Sequence, residues 1–453
     1  MGFFEQARVS HPLSAAAMSV TPAVLRSAVP TSMRAGVRGL ATGAAAIPVA
    51  AVNEAAPVVS LTVAARAGSR YEGTEGAAHA LKNFAFKSTN QRSALRIVRE
   101  TELNGGVLSA ALTPELILLT ADCLKGDEAH FAGLLAEVIG DSKLCRFEFN
   151  EDVVPSLAAD TAAVAQDPIA FGADALFRTA FRGRGVGASL FASPAAPLTV
   201  EAVRAFAHEV YHAGNVAVVG SGIARDELDA LVASAFGSVH ARSAPSTAAS
   251  KYFGGDLRTA LVDSHGHAQP LSHFFLAYEG APRAQSAVLS VLEALLGGAS
   301  SIKWTFGQSP LGAIRTQVPG ARAHAFNKAL SDTGLFGLHI TAPHARAREA
   351  VQSSVAALDR VAQGTVPQDE VAGAVARAKF AAAAALESGR QSAHTVLGAE
   401  LLDGSAAPLA EKLAALEGVS GAQLSAAAGA LLKSKPTTVA LGNLAQLPYG
   451  DEI

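Results

Sequence analysis

Apolar positions along this chain follow two patterns, short β-branched runs and stretches with an apolar residue every third or fourth position. These patterns recur in the same order twice. Residues 58–65 are the first apolar run and predict a strand. Helical spacing over 75–86 and 92–104 follows, then a hairpin in which 106–112 and 116–121 flank a Thr113-Pro114 turn. Asp127 opens a predicted helix to Ile139 whose core side carries Phe131, Leu134, Leu135 and Val138. Helices over 152–165, 168–181 and 199–212, a buried strand over 215–219 and a helix over 225–236 complete the first series.

The second series opens with a strand over 271–278 and a helix over 284–296, then a hairpin of 322–329 and 334–341 about Ser331-Asp332. Helices over 346–362, 368–387, 392–402 and 420–432 lead to a last strand over 437–441. Hairpins mixed with packed helices predict an α+β layer architecture rather than an alternating parallel sheet. The repeated order predicts two tandem halves, 41–240 and 251–453. They are joined by a linker over 241–250 that is rich in Ser, Ala, Pro and Thr and lacks periodicity.

Bulk properties narrow the function. A chain of 453 residues is too long for one core. Its net charge of −3 and charged fraction of 17% supply no field for a phosphate backbone, which argues against nucleic acid. Nor is there an uninterrupted run of about 18 apolar residues to cross a bilayer. Cys123 and Cys145 are too few for a disulfide scaffold and are expected to be buried thiols in a reducing compartment. Between Glu5 and Glu54 no acidic residue occurs, while Arg8, Arg26, Arg34 and Arg38 are spread among Ser, Thr and Ala. That composition predicts a mitochondrial transit peptide over 1–40, a mature chain beginning near Ala41, and either Met1 or Met18 as the start.

Candidate chemistry centres on Gly68-Ser69-Arg70-Tyr71-Glu72, which runs into a helix bearing His79, Lys82 and Asn83 and then into Phe86-Lys87-Ser88-Thr89. This series resembles the pitrilysin-like zinc metallopeptidases, whose signature joins Gly-Ser-Arg-x-Glu to H-x-x-E-H and Phe-Lys-Gly-Thr. The resemblance extends from about Ala45 to the C-terminus and implies two homologous halves, each a mostly antiparallel sheet packed with helices. In that motif two histidines bind zinc and the glutamate deprotonates the bound water. Here His79 keeps the first ligand position, Lys82 stands at the base and Asn83 at the second ligand. The family's third ligand, a glutamate about 77 positions further on, falls on Asp160, and another acidic position of the family falls on Val153. An ammonium repels a metal ion and an amide is a poor zinc ligand, so the resemblance implies no metal, no cofactor and no catalytic residue at these positions.

A second pattern, His208-Glu209-Val210-Tyr211-His212, fits H-E-x-x-H, with a helical i, i+4 histidine pair around a base. The helix is expected to stop at Ala213-Gly214, and no third ligand follows at the spacing of extended zincin motifs, so the match is read as coincidental. His265, His267 and His273 are expected to be solvated in a polar connection, and the glycines of 183–187 to form a loop. The stretch 296–304 is too short and bulky for the glycine-rich loop of processing-peptidase partner subunits, and no tyrosine lies between Gly320 and Asp332 to orient a substrate. Within the family these gaps match the non-catalytic core proteins of respiratory complex III. The implied setting is a dimeric complex with core protein 1 and the cytochrome b and cytochrome c1 subunits, peripheral to the inner membrane on its matrix side. The alternative is a subunit of the mitochondrial processing peptidase that binds or cleaves presequences.

Overall fold

The computed structural model describes residues 47–52, 56–193, 198–242, 247–261, 270–298, 309–364, 366–387 and 390–453. Strands β1 (Val49–Val52), β2 (Val58–Ala65), β3 (Val107–Leu112), β4 (Ile117–Leu124) and β5 (Val216–Ser221) form one sheet in the order β1-β5-β2-β4-β3. A second sheet has the order β6-β10-β7-β9-β8, from β6 (Gly255–Thr259), β7 (Leu271–Glu279), β8 (Arg322–Ala329), β9 (Gly334–Pro343) and β10 (Thr437–Leu441). The two orders coincide strand for strand. In each, the outermost pair, β1 with β5 or β6 with β10, is parallel and the other pairs are antiparallel.

The first series also supplies α1 (Ala77–Asn83), α2 (Ala94–Leu103), α3 (Glu128–Gly140), α4 (Arg146–Glu148), α5 (Val154–Gln166), α6 (Pro168–Ala180), α7 (Val200–Val210) and α8 (Arg225–Ala235). The second supplies α9 (Ala287–Leu296), α10 (Ile314–Gln317), α11 (Ala347–Ala362), α12 (Gln368–Glu387), α13 (Arg390–Asp403), α14 (Leu409–Glu417) and α15 (Gly421–Lys433). Among the described residues no helix is long and apolar enough to cross a membrane.

Each sheet is covered on one face by its own helices. α3 lies on β2 and β4 and buries the anticipated Phe131, Leu134, Leu135 and Val138, while α9, α11 and α15 cover the second sheet. The opposite faces are covered by exchange. α6, started by Pro168 and the Asp167 cap, crosses to β6, β7 and β10, and α13 crosses back to β1, β2 and β5. Close approach needs a glycine in both helices. A Cβ on Gly172 would lie 2.1 Å from the Phe275 ring, and one on Gly398 would lie 2.6 Å from the Ala64 Cβ.

Several elements differ from the sequence reading. β1 and β6 were not anticipated, because one is a four-residue, half-alanine segment and the other, Gly-Asp-Leu-Arg-Thr, carries strand-poor residues. Alanine-rich α14 was also missed. The helix expected over 152–165 begins upstream as α4 and passes through a π turn, Phe149–Val153, before α5.

Candidate functional site

Helix α1 holds His79 and Lys82, with Asn83 as its last residue, and α5 brings Asp160 opposite them. Three side chains converge on one oxygen, Asp160 Oδ2: His79 Nε2 at 3.0 Å, Lys82 Nζ at 3.2 Å and Asn83 Nδ2 at 3.3 Å. Lys82 Nζ also donates to Asn83 Oδ1 at 3.1 Å. The four positions singled out in the sequence are thus one constellation, with an ammonium inside it.

His79 is buried at the centre of this constellation. Its side chain is 3% exposed and its ring meets Phe191 edge-on at 5.6 Å. The backbone N–H of Ala192 donates to Nδ1 at 3.1 Å, so the neutral ring carries its proton on Nε2 and gives it to Asp160. Ala192 is wedged in place, since a Cβ on Gly76 at the start of α1 would lie 2.6 Å from its methyl. Both ring nitrogens are therefore occupied. A metal-ligating imidazole donates from its second nitrogen, whereas this one accepts there.

Electrostatics agree with the geometry. Burial pulls His79 below the usual imidazole range, outweighing the opposing pull of Asp160, and keeps the ring neutral. Burial pushes the Asp160 carboxyl up, but hydrogen bonds from His79, Lys82 and Asn83 prevail and hold it below the usual carboxylate range. Charge within the cluster balances between one ammonium and one carboxylate. Nearby, burial pushes Glu72 up to about 7 although it accepts the Ala78 N–H at 2.9 Å. Val153, at the other acidic position of the motif, is 1% exposed and closes the π turn.

Arg70, from the same motif, faces the second half instead. It donates to Glu115 at 3.0 Å and to Ser331 Oγ at 3.0 Å, and pairs with Asp332 at 2.6 Å. Arg283 pairs with Glu115 at 3.2 Å and also with Asp403. The network ties the β3–β4 turn to the β8–β9 turn and to the end of α13. Breaking one partner of such a buried set strands the others, which makes it a rigid joint between the halves.

The H-E-x-x-H match does not assemble. α7 ends at Val210, leaving His212 beyond the helix and buried, with Nδ1 unpartnered. His208 is exposed, and Arg242 Nη1 lies 3.2 Å from its Nδ1. The two imidazoles thus do not share a helical face. His273 corrects the sequence reading: it lies inside β7, is 7% exposed, and its Nδ1 is 3.2 Å from His339 Nε2. His265 and His267 lie outside the described residues, as do the transit segment 1–40 and much of 296–304. Of the two cysteines, Cys123 is buried but Cys145 is only partly so. The glycine-rich 183–187 is a loop with one 3-10 turn. Sequence reasoning missed the Ala192 amide, which has no side-chain signal, and the partners His324 and His339.

Comparison with known proteins adds an independent line. Residues 48–193 match the model of the insulinase family (peptidase family M16), and residues 197–378 match the peptidase M16 inactive domain. The mitochondrial cytochrome b-c1 complex subunit 2 of Cryptococcus neoformans var. grubii is 42% identical, over 87% of this chain and 89% of that protein. The subunit of the same name from Neurospora crassa is 39% identical, over 91% and 90%. The mitochondrial-processing peptidase subunit alpha of Solanum tuberosum is 28% identical, over 91% and 83%.

Proposed function

The chain belongs to the mitochondrial cytochrome b-c1 complex subunit 2 family, within the M16 peptidases, and on that premise we propose that it is a non-catalytic core subunit of complex III. In this role it supports assembly, and hence electron transfer from ubiquinol to cytochrome c, without cutting peptides or carrying a redox group.

One observation carries the reading: the Lys82 ammonium sits among His79, Asn83 and Asp160, where the family motif would place an ion and its base. The residues present do not fit zinc. His79 has no nitrogen lone pair to offer, Asn83 turns its amide N–H toward Asp160, and Lys82 repels a cation. The match at His208, Glu209 and His212 is coincidental on the same footing, because the second histidine leaves the helix.

Its closest associates in this reading are core protein 1 and the cytochrome b and cytochrome c1 subunits, in a dimeric complex peripheral to the inner membrane on the matrix side. Residues 1–40 act as the transit peptide and are removed, and 41–240 and 251–453 are the two peptidase-like halves about the 241–250 linker. The processing-peptidase alternative is weaker, since the relative of that name is 28% identical against 42% and 39% for the two subunits 2.

Two measurements test this. Tagged protein comigrates with complex III on a native gel, and its deletion abolishes assembly; migration apart from the complex refutes the assignment. In equilibrium dialysis the mature chain retains no stoichiometric zinc. One tightly held ion lost on His79→Ala, or chelator-sensitive cleavage of a presequence peptide, overturns the inert site.

A further inference from the structure

Where α6 ends, the fold gathers exposed cations from three segments: Arg178, Arg182 and Arg184 on and after the helix, Lys251 at the linker's end, and Lys435 before β10. Two hydrogen bonds fix the junction. Phe253 N–H donates to Ala180 O at 2.9 Å, and Tyr252 Oη donates to Lys435 O at 2.7 Å. Phe253 forms the floor, with the Arg182 guanidinium 4.5 Å and Lys251 Nζ 5.5 Å from its ring centroid. The stem of Lys435 borders the same turn, its Cγ 3.0 Å from where a Cβ on Gly254 would sit.

None of these five cations is ion-paired among the described residues, whereas Arg70, Arg92, Arg283 and Lys412 all are. Of the acids nearby, Glu279 acts electrostatically on Tyr252, and Asp332, which accepts the Ser250 N–H, is paired with Arg70. In a chain of net charge −3, five unpaired cations crowded at one place repel one another, and a negative surface outside the chain would relieve that repulsion.

We infer that this pole docks on the phosphate head groups of an anionic lipid surface. The charge is confined to a patch a few head groups wide, which suits a bilayer better than the long track a nucleic-acid backbone requires. A group of four to eight Lys or Arg side chains is the size at which anionic lipid is recognised. The inference stands apart from the subunit assignment and goes beyond it.

Flotation with phosphatidylcholine vesicles, with and without cardiolipin, tests it. The full chain minus residues 1–40 is used, because the arginines of that segment would bind the same lipid. Binding is expected only to the cardiolipin vesicles and to weaken with salt. Combining Arg182→Ala, Lys251→Ala and Lys435→Ala should lower the partition coefficient about 100-fold, roughly five-fold per charge. Circular dichroism of the variant serves as the folding control. Equal binding to neutral vesicles, or an unchanged triple variant, overturns the inference. So does loss of binding to immobilised polyglutamate without any vesicle binding, which would reassign the patch to an acidic protein. None of these failures bears on comigration with complex III.

Discussion

The two sheets share one strand order but meet their exchanged helices differently. Beneath α13 the first sheet presents Thr62, whose hydroxyl lies 2.6 Å from His394 Nδ1 and 2.7 Å from Thr120 Oγ1, beside a small apolar set of Ala64, Leu116, Leu118 and Ala399. Beneath α6 the second sheet presents Phe275, Leu335, Val439 and Leu441 against Ala175, Leu176 and Phe181. On the same side His339 stacks on Phe275 at 4.2 Å and meets His273 and His324 at 5.5 and 4.9 Å. One joint is held by a few directional bonds and the other by buried area. Duplication preserved the topology while the chemistry of the two seams diverged.

Phe275→Ala should break the contrast hardest. Removing a buried aromatic under α6 costs about 3–5 kcal/mol, read as a lower denaturation midpoint at unchanged m-value. A loss below about 1 kcal/mol would mean that burial does not hold this joint. Thr62→Val, nearly isosteric, should cost about 1–3 kcal/mol because two buried polar partners lose a bond. A neutral result in the same assay would place the first joint with the second.

Acid sharpens the comparison most gently. Burial lowers the pKa of His273, His324 and His339, the last to about 3. Asp167 opposes the shift at His273, while Lys328 adds to it at His324. Because these folded-state values are depressed, the stability the neutral rings contribute is complete above about pH 6.5. It is lost as pH falls from there, for His339 down toward about 3, by at most about 1.4 kcal/mol per pH unit for each ring. Hydrogen exchange at pH 7.5 and 5.5 should show β7 and β9 losing protection before β2 and β4. Uniform loss across both sheets would remove the distinction.

Much of this was legible in the linear chain, for reasons tied to particular residues. β2, α12 and β10 stand where their periodicity predicts, and the substitutions at Lys82, Asn83 and Asp160 announce the altered site by identity alone. The helix exchange was not legible, because the apolar stripe of α6 says that it must be covered but not by which sheet. The burial of His273 was likewise hidden, since its depth depends on strands that close some 70 residues later. The proton position on His79 depends on the main chain of Ala192 and leaves no trace in side-chain type.

That last contact makes the loss of peptidase chemistry hard to reverse. Reinstating glutamate, histidine and glutamate at 82, 83 and 160 would rebuild the ligand list, yet the surviving imidazole would still present a proton where a metal needs electrons. Regaining function would also require shifting a strap of main chain pinned 113 residues downstream. The route back therefore passes through backbone remodelling, a step no single codon change supplies, and the chain is committed to its architectural career.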